Sequence, residues 1–208
     1  MEIEKLRRRL NEELPGLASQ LKAAPPFRGS SYTSTDIDNA RQASVLWLMY
    51  LNESSIWEGV LIQRSSYEGV HSNQVGMPGG EKDEIDLSDI HTALRECKEE
   101  IGVEVPLDRV IGALTPLYIP PSKFYVRPYV AWLDEKPDFI LDPNEVAGVL
   151  TIEIEKLCSE DLWSEFSVKG IRVPGFELEG QLVWGATAMM LSELVDCCRE
   201  IFVDTFAK

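Results

Sequence analysis

The sequence predicts an α/β protein in which strands are covered by helices on both faces, an α/β/α arrangement. Three observations carry that expectation: short runs rich in β-branched and aromatic residues through the middle of the chain, an acidic helical stretch between them, and an amphipathic helix near the C-terminus. With 208 residues, 44% of them hydrophobic and 26% charged, the chain has the balance of a soluble globular protein with one full-sized core.

Taken in order, Ile3, Leu6 and Leu10 recur at helical spacing with charges between them, and Pro15 and Gly16 interrupt the pattern. This predicts a helical segment up to about Leu21 that docks on the main body. Residues 22–40, with Pro25, Pro26 and several Ser and Thr, read as an ordered loop over that body. Residues 1–40 are therefore expected to form an N-terminal helix and loop, and residues 41–208 the main domain.

From Ala43 the runs ASVLWLMYL and WEGVLIQR, separated by the polar Asn52 to Ser55, predict two paired strands. RVIGALTPLYI, FYVRPYVAWL and GVLTIEIEKL, bounded by Pro, Gly or Asp, predict further strands. In the tail, Trp184, Ala188, Leu191, Leu194, Val195 and Cys198 fall at three- and four-residue steps, an apolar helical face suited to cover the sheet. There is no internal repeat.

The formal charge of −15, from 20 Lys and Arg against 35 Asp and Glu, repels phosphate backbones and anionic lipid, which argues against a nucleic acid polymer or a membrane as partner. No stretch approaches the roughly 18–20 apolar residues that span a bilayer. The start MEIEKLRRRLNEELPG lacks an apolar signal region, so a cytoplasmic protein is expected. The four cysteines, Cys97, Cys158, Cys197 and Cys198, show neither C-x-x-C spacing nor nearby histidines and read as reduced packing residues.

The segment GMPGGEKDEIDLSDIHTALRECKEEIG carries the chemistry. A helix over Thr92 to Ile101 places Leu94, Cys97 and Ile101, with Ile90 before them, on one stripe. Glu96, Glu99 and Glu100 then cluster roughly opposite it. Like charges so spaced destabilise a helix by about 0.2–0.5 kcal/mol per pair, and Glu99 and Glu100 sit near the C-terminal end, where the dipole also disfavours anions. Arg95, one turn from Glu99, and a hard divalent cation held by the carboxylates would compensate. Pro78, Gly79 and Gly80 allow a tight backbone path close to a ligand, and Gly102 ends the helix.

Gly79 and Gly80 followed by Arg95, Glu96, Glu99, Glu100 and Gly102 resemble the R-E-U-x-E-E-x-G core of the Nudix hydrolases. The glutamate usual between glycine and arginine is absent in standard register: Leu87 holds its place, with Asp83 and Asp86 nearby. That altered spacing is similar to the coenzyme A pyrophosphatase-like subfamily. Its second signature is approached by VLIQRSSYEGVHSNQVGMPGG through Leu61, Arg64, Ser65, His71, Val75, Pro78, Gly79 and Gly80. The chain departs from it at Ile62, Glu68, Gly69, Asn73 and Met77, where the signature prefers Thr, Leu, Arg, Gly and Phe. Weaker similarity continues through YVRPYVAWL and VWGATAMML, covering most of residues 40–195.

The resemblance implies the Nudix fold, a mixed β-sheet sandwiched between helices, and Mg²⁺-dependent hydrolysis, with Mn²⁺ as an alternative ion, of a nucleoside diphosphate linked to another group. Coenzyme A or acyl-CoA, cleaved to 3′,5′-ADP and (acyl-)phosphopantetheine, is the implied substrate. ADP-ribose or a nucleoside triphosphate, or a non-catalytic ligand-sensing role, are the alternatives. Glu96, Glu99 and Glu100 are the expected metal ligands, with Arg95 orienting them and Glu99 as the proton acceptor. Arg64, His71, Gly79 and Gly80 are the expected substrate-binding residues. Glu145, in the loop DPNEVAG, is available as a further carboxylate, but a simple loop charge is the favoured reading. Lys123 and Arg127 could neutralise phosphate or be strand-edge charges, and His91 reads as solvated. Tyr125, Phe176 and Trp184 suit core packing as well as base stacking. The N-terminal helix leaves a homodimer open.

Overall fold

The computed structural model describes residues 1–26, 28, 32–65, 74–159, 162–168 and 170–203. The chain opens with helix α1 (Glu2–Leu10), which buries Ile3, Leu6 and Leu10, and continues through α2 (Gly16–Gln20) and α3 (Ser34–Asp38). α3 lies inside the segment expected to be a loop. A capping box explains it: Asp36 N–H donates to the Thr33 hydroxyl while Thr33 N–H donates to the Asp36 carboxylate.

Strands β1 (Arg41–Leu51) and β2 (Trp57–Arg64) form the expected antiparallel pair. The turn between them is tied by the Asn52 carboxamide oxygen, which accepts from the Ser54 and Ile56 amides. β1 and β2 stay paired only near that turn. Beyond it they diverge, and two short strands, β3 (Val75–Gly76) on β2 and β4 (Gly79–Glu81) on β1, fill the wedge. Helix α4 (Asp89–Ile101) follows, starting one turn earlier than its acidic segment suggests.

Next come β5 (Val110–Ala113), β6 (Leu117–Ile119), β7 (Phe124–Leu133), β8 (Val146–Glu153) and the short α5 (Ile154–Leu157). β1 runs parallel to β7 while every other pairing of this eight-stranded sheet is antiparallel, so the sheet is mixed. The run RVIGALTPLYI, expected as one strand, is two. Pro116 has no N–H to give a ladder, and Thr115 turns its N–H and hydroxyl to the buried carboxylate of Glu193. GVLTIEIEKL likewise changes from strand to helix at Ile154, because Ile154 and Leu157 bury together at helical spacing.

A second sheet that the sequence reading did not anticipate, β9 (Trp163–Val168), β10 (Ile171–Leu178) and β11 (Gln181–Trp184), leads into helix α6 (Gly185–Phe202). Trp184 ends β11 and caps α6 instead of lying on its stripe, whereas Ala188, Leu191, Leu194, Val195 and Cys198 are buried as expected.

The pleat of β1 divides the core in two. Ala43, Trp47 and Met49 face the cluster containing α1 and α6, and Leu46, Leu48 and Tyr50 face the one containing Ala93, Cys97 and Ile101 of α4. Helices thus cover both faces of the sheet, the α/β/α arrangement. The apolar face of α1 packs inside the chain, against the cluster that includes α6. All four cysteines are free and buried. Among the described residues no helix is long and apolar enough to cross a membrane.

Candidate metal centre

The site forms where α4 crosses the wedge filled by β3 and β4. Gly79 adopts a φ of 153° that side chains rarely tolerate, and its backbone lies against Ser44 and Val45 of β1. Its N–H consequently points at α4 and donates to Glu100 Oε2 at 2.8 Å. At Gly80 a Cβ would lie 2.5 Å from Glu96 Oε2, so only glycine leaves that carboxylate its place. Gly102 closes α4 in the left-handed conformation, its N–H returning to the Lys98 carbonyl.

The three helix glutamates occupy unlike environments. The buried arc of α4 is turned toward Ala93 and Glu100, so Glu100 is fully enclosed, Glu96 sits at the edge of the pocket with 13% of its side chain exposed, and Glu99 is 58% exposed. Single oxygen atoms of Glu96, Glu100 and Glu145 lie within 4.8 Å of one another. Glu145, which the sequence favours as a simple loop charge, thus converges instead with two of the helix residues. The Glu99 carboxylate instead meets Arg95 Nη1 at 2.7 Å.

Glu145 is brought in by backbone tethers at both sides. Asp142 N–H donates to the Glu100 carbonyl at 3.1 Å, and Ser65 at the end of β2 donates its N–H to the Glu145 carbonyl at 2.8 Å and its hydroxyl to the Pro143 carbonyl at 3.1 Å. No periodicity in the sequence announces this, because the contacts join residues 42 (100 to 142), 78 (65 to 143) and 80 (65 to 145) positions apart.

Arg95 is the hub of the helix's outer face. Its Nη1 donates to Glu96 Oε1 at 2.8 Å as well as to Glu99, its Nη2 reaches the Glu81 carbonyl at 3.1 Å, and Nε and Nη2 grip both oxygens of Asp86 at 2.9 Å. The carboxylate missing at position 87 is therefore supplied one residue earlier. Leu87 itself points out, 86% exposed.

Burial pushes the Glu100 carboxyl up to about 7, and Glu96 and Glu145 push the same way, against the nearby Arg64 charge and the Gly79 N–H. Burial also raises Glu96, opposed by Arg95. Among the described residues Glu100 Oε1 has no hydrogen-bond partner, with Arg64 Nη2 at 3.4 Å its nearest cation. A buried oxygen left unsatisfied beside two further carboxylates costs free energy, and a hard divalent cation, which prefers oxygen ligands, is the group these residues fit.

The other expected residues are placed as follows. Arg64 turns its guanidinium inward, Nη2 donating to the Gly79 carbonyl at 2.7 Å. His71 lies outside the described residues. His91 Nδ1 pairs with the Ser88 hydroxyl at 2.8 Å, Arg127 pairs with Asp89 at 2.9 Å, and Lys123 is exposed at a turn with φ of 55°. Phe176 is buried under Trp163, and Tyr125 lies under Arg127.

The NUDIX domain matches residues 40–170 of the chain. The chain belongs to the Nudix family and is a pyrophosphohydrolase of that family, whose members act on small nucleotide substrates and generally use divalent metal ions. It is 34% identical over 139 residues to the uncharacterized Nudix hydrolase NudL of Yersinia enterocolitica, covering 65% of this chain and 71% of that protein. NudL of Yersinia pestis is 33% identical over 139 residues, covering 65% and 69%. A MutT/nudix family protein from Enterococcus faecalis aligns over 97% of this chain and 73% of its own with a TM-score of 0.55 at 19% identity, which shows the shared fold.

Proposed function

We propose that the chain cleaves the pyrophosphate bond of coenzyme A or an acyl-CoA to 3′,5′-ADP and (acyl-)phosphopantetheine, with Mg²⁺ or Mn²⁺ held by Glu96, Glu100 and Glu145. The convergence of those three carboxylates, one of them bearing a buried oxygen without a partner among the described residues, carries the metal-dependent part of this reading. The choice of substrate is supported by the segment from Leu61 to Gly80, which resembles the coenzyme A pyrophosphatase-like signature.

When bound, such an ion neutralises phosphate charge and acidifies the attacking water. Arg95, locked by Asp86, orients Glu96 and Glu99. Gly79 and Gly80 bring the backbone close against the carboxylates, and these two glycines and His71 are assigned to substrate binding. Glu99, on the solvent side of Arg95, is assigned as the acceptor of the water's proton. In a chain of net charge −15, such a cation reverses the field locally in favour of an anionic substrate.

Purified protein with Mg²⁺ is to be incubated with coenzyme A, ADP-ribose, a dinucleoside polyphosphate and nucleoside triphosphates, with products identified by mass spectrometry. The expected outcome is 3′,5′-ADP from coenzyme A. Faster turnover of ADP-ribose or a triphosphate would overturn the substrate assignment, and no turnover of any would leave a ligand-sensing role.

A further inference from the structure

We infer that Arg64 is a positioning residue for the carboxylate cage, holding the Gly79 turn and Glu100 together, and that it does not bind the substrate. The inference rests on the metal-dependent reading above.

The geometry is specific to one nitrogen. Arg64 Nη2 donates to the Gly79 carbonyl at 2.7 Å and lies 3.4 Å from Glu100 Oε1, while the Gly79 N–H donates to Glu100 Oε2 at 2.8 Å. Arginine, glycine and glutamate thus close a ring in which both faces of the Gly79 residue are engaged. Charge-assisted contacts of this kind both attract and set direction. Only 27% of the Arg64 side chain is exposed, against 0% for Glu100, so its charge works in a poorly hydrated setting.

Arg64 reaches this place because of an irregularity in the sheet. Along the β2–β8 pairing Gln63 faces Gly148 but Arg64 faces Val146, so the register slips between the two residues. The slip falls where β2 stops supporting β8 and starts supporting the site. One residue on, Ser65 tethers the Glu145 loop by its N–H and hydroxyl. Adjacent residues at one strand end therefore place two of the three converging carboxylates: Arg64 the one on the helix, Ser65 the one on the loop.

Turning Nη2 to a phosphate would take it from both the Gly79 carbonyl and Glu100. Moving it would bring Glu96, Glu100 and Glu145 together with their nearest inward cation withdrawn, which the positions of these groups disfavour. Outer partners that orient metal-binding side chains typically matter by about 10- to 100-fold in metal affinity or activity.

The test is Mn²⁺ titration calorimetry without substrate on wild type, Arg64→Gln, Arg64→Lys and Glu100→Gln, with circular dichroism for folding, then steady-state kinetics at saturating metal. Arg64→Gln is expected to weaken Mn²⁺ binding about 10-fold or more and to lower kcat with KM nearly unchanged. Arg64→Lys, which restores a cation, is expected to recover part of both. Glu100→Gln combined with Arg64→Gln should bind no more weakly than Glu100→Gln alone. Wild-type Mn²⁺ affinity in Arg64→Gln with a raised KM would overturn the inference and return Arg64 to the substrate. A wild-type chain indifferent to Mn²⁺ would overturn the metal-dependent reading and this inference with it. Should Arg64→Gln fail to fold, Arg64→Lys with unchanged KM and weakened metal binding supports positioning, and a raised KM alone opposes it.

Discussion

At Gly80 a methyl group would land on the Glu96 carboxylate, the far end of a flexible side chain, rather than on backbone. Gly80→Ala is therefore expected to lower turnover about 10-fold or more through displacement of that carboxylate, with the thermal midpoint nearly unchanged. Gly79→Ala, which meets the Ser44 carbonyl at 2.3 Å and a φ of 153°, should instead destabilise the fold, so thermal melts of the pair separate the two effects. Asp86 makes a second residue-scale prediction. Hydrogen bonds from Arg95 hold its carboxyl well below the usual carboxylate range, with the Asp83 backbone adding to the effect against desolvation. A depressed folded-state pKa stabilises above the unfolded value of about 3.9 and loses that contribution as pH falls below it. Urea midpoints of wild type and Asp86→Asn should consequently differ at pH 7 and converge toward pH 2; a constant gap would show that the ion pair is not its source. Asp86 and Glu145 were the site residues least legible in the sequence. A one-residue change of spacing hid the first, and the second depends on where a loop folds.

The elements follow the same division. β2 and β7 begin and end where the runs WEGVLIQR and FYVRPYVAWL do, because β-branched and aromatic residues dominate those runs and turn residues flank them. β5 and β6 split, and β8 gives way to α5, where a buried carboxylate or a paired burial overrides the local β preference. The N-terminal elements are held by Glu193 of α6, fully buried, which accepts from the Gly16 amide at 3.0 Å, the Gln20 carboxamide at 3.0 Å and the Thr115 hydroxyl at 2.6 Å. Leu6, also fully buried, supplies the apolar share of that docking. Leu6→Ala is expected to cost about 2–5 kcal/mol in chemical denaturation while leaving kcat of the folded fraction intact. A loss of under about 0.5 kcal/mol would mean that α1 is an appendage to the fold.

For the whole molecule, an acidic surface and an acidic pocket reinforce each other, so binding of a divalent cation should stabilise the native state by mass action, about 2.7 kcal/mol at a hundredfold excess over Kd. Calorimetric melts are expected to rise with millimolar Mg²⁺, to rise less with NaCl of equal ionic strength, and to lose the Mg²⁺-specific part in Glu100→Gln. Equal shifts with both salts would indicate screening alone. By itself the sequence determined the α/β/α class, the positions of β1, β2 and β7, and the glycine turn and glutamate helix that mark the Nudix family, because periodicity and turn chemistry are local properties of the chain. The tertiary structure alone decided that Glu100 is enclosed while Glu99 faces solvent, that Asp86 serves Arg95, that Glu145 joins the helix carboxylates and that Arg64 points inward. Those outcomes depend on the splay of β1 from β2 and on tethers between distant segments, and helical spacing cannot encode which side of an acidic face the sheet will cover.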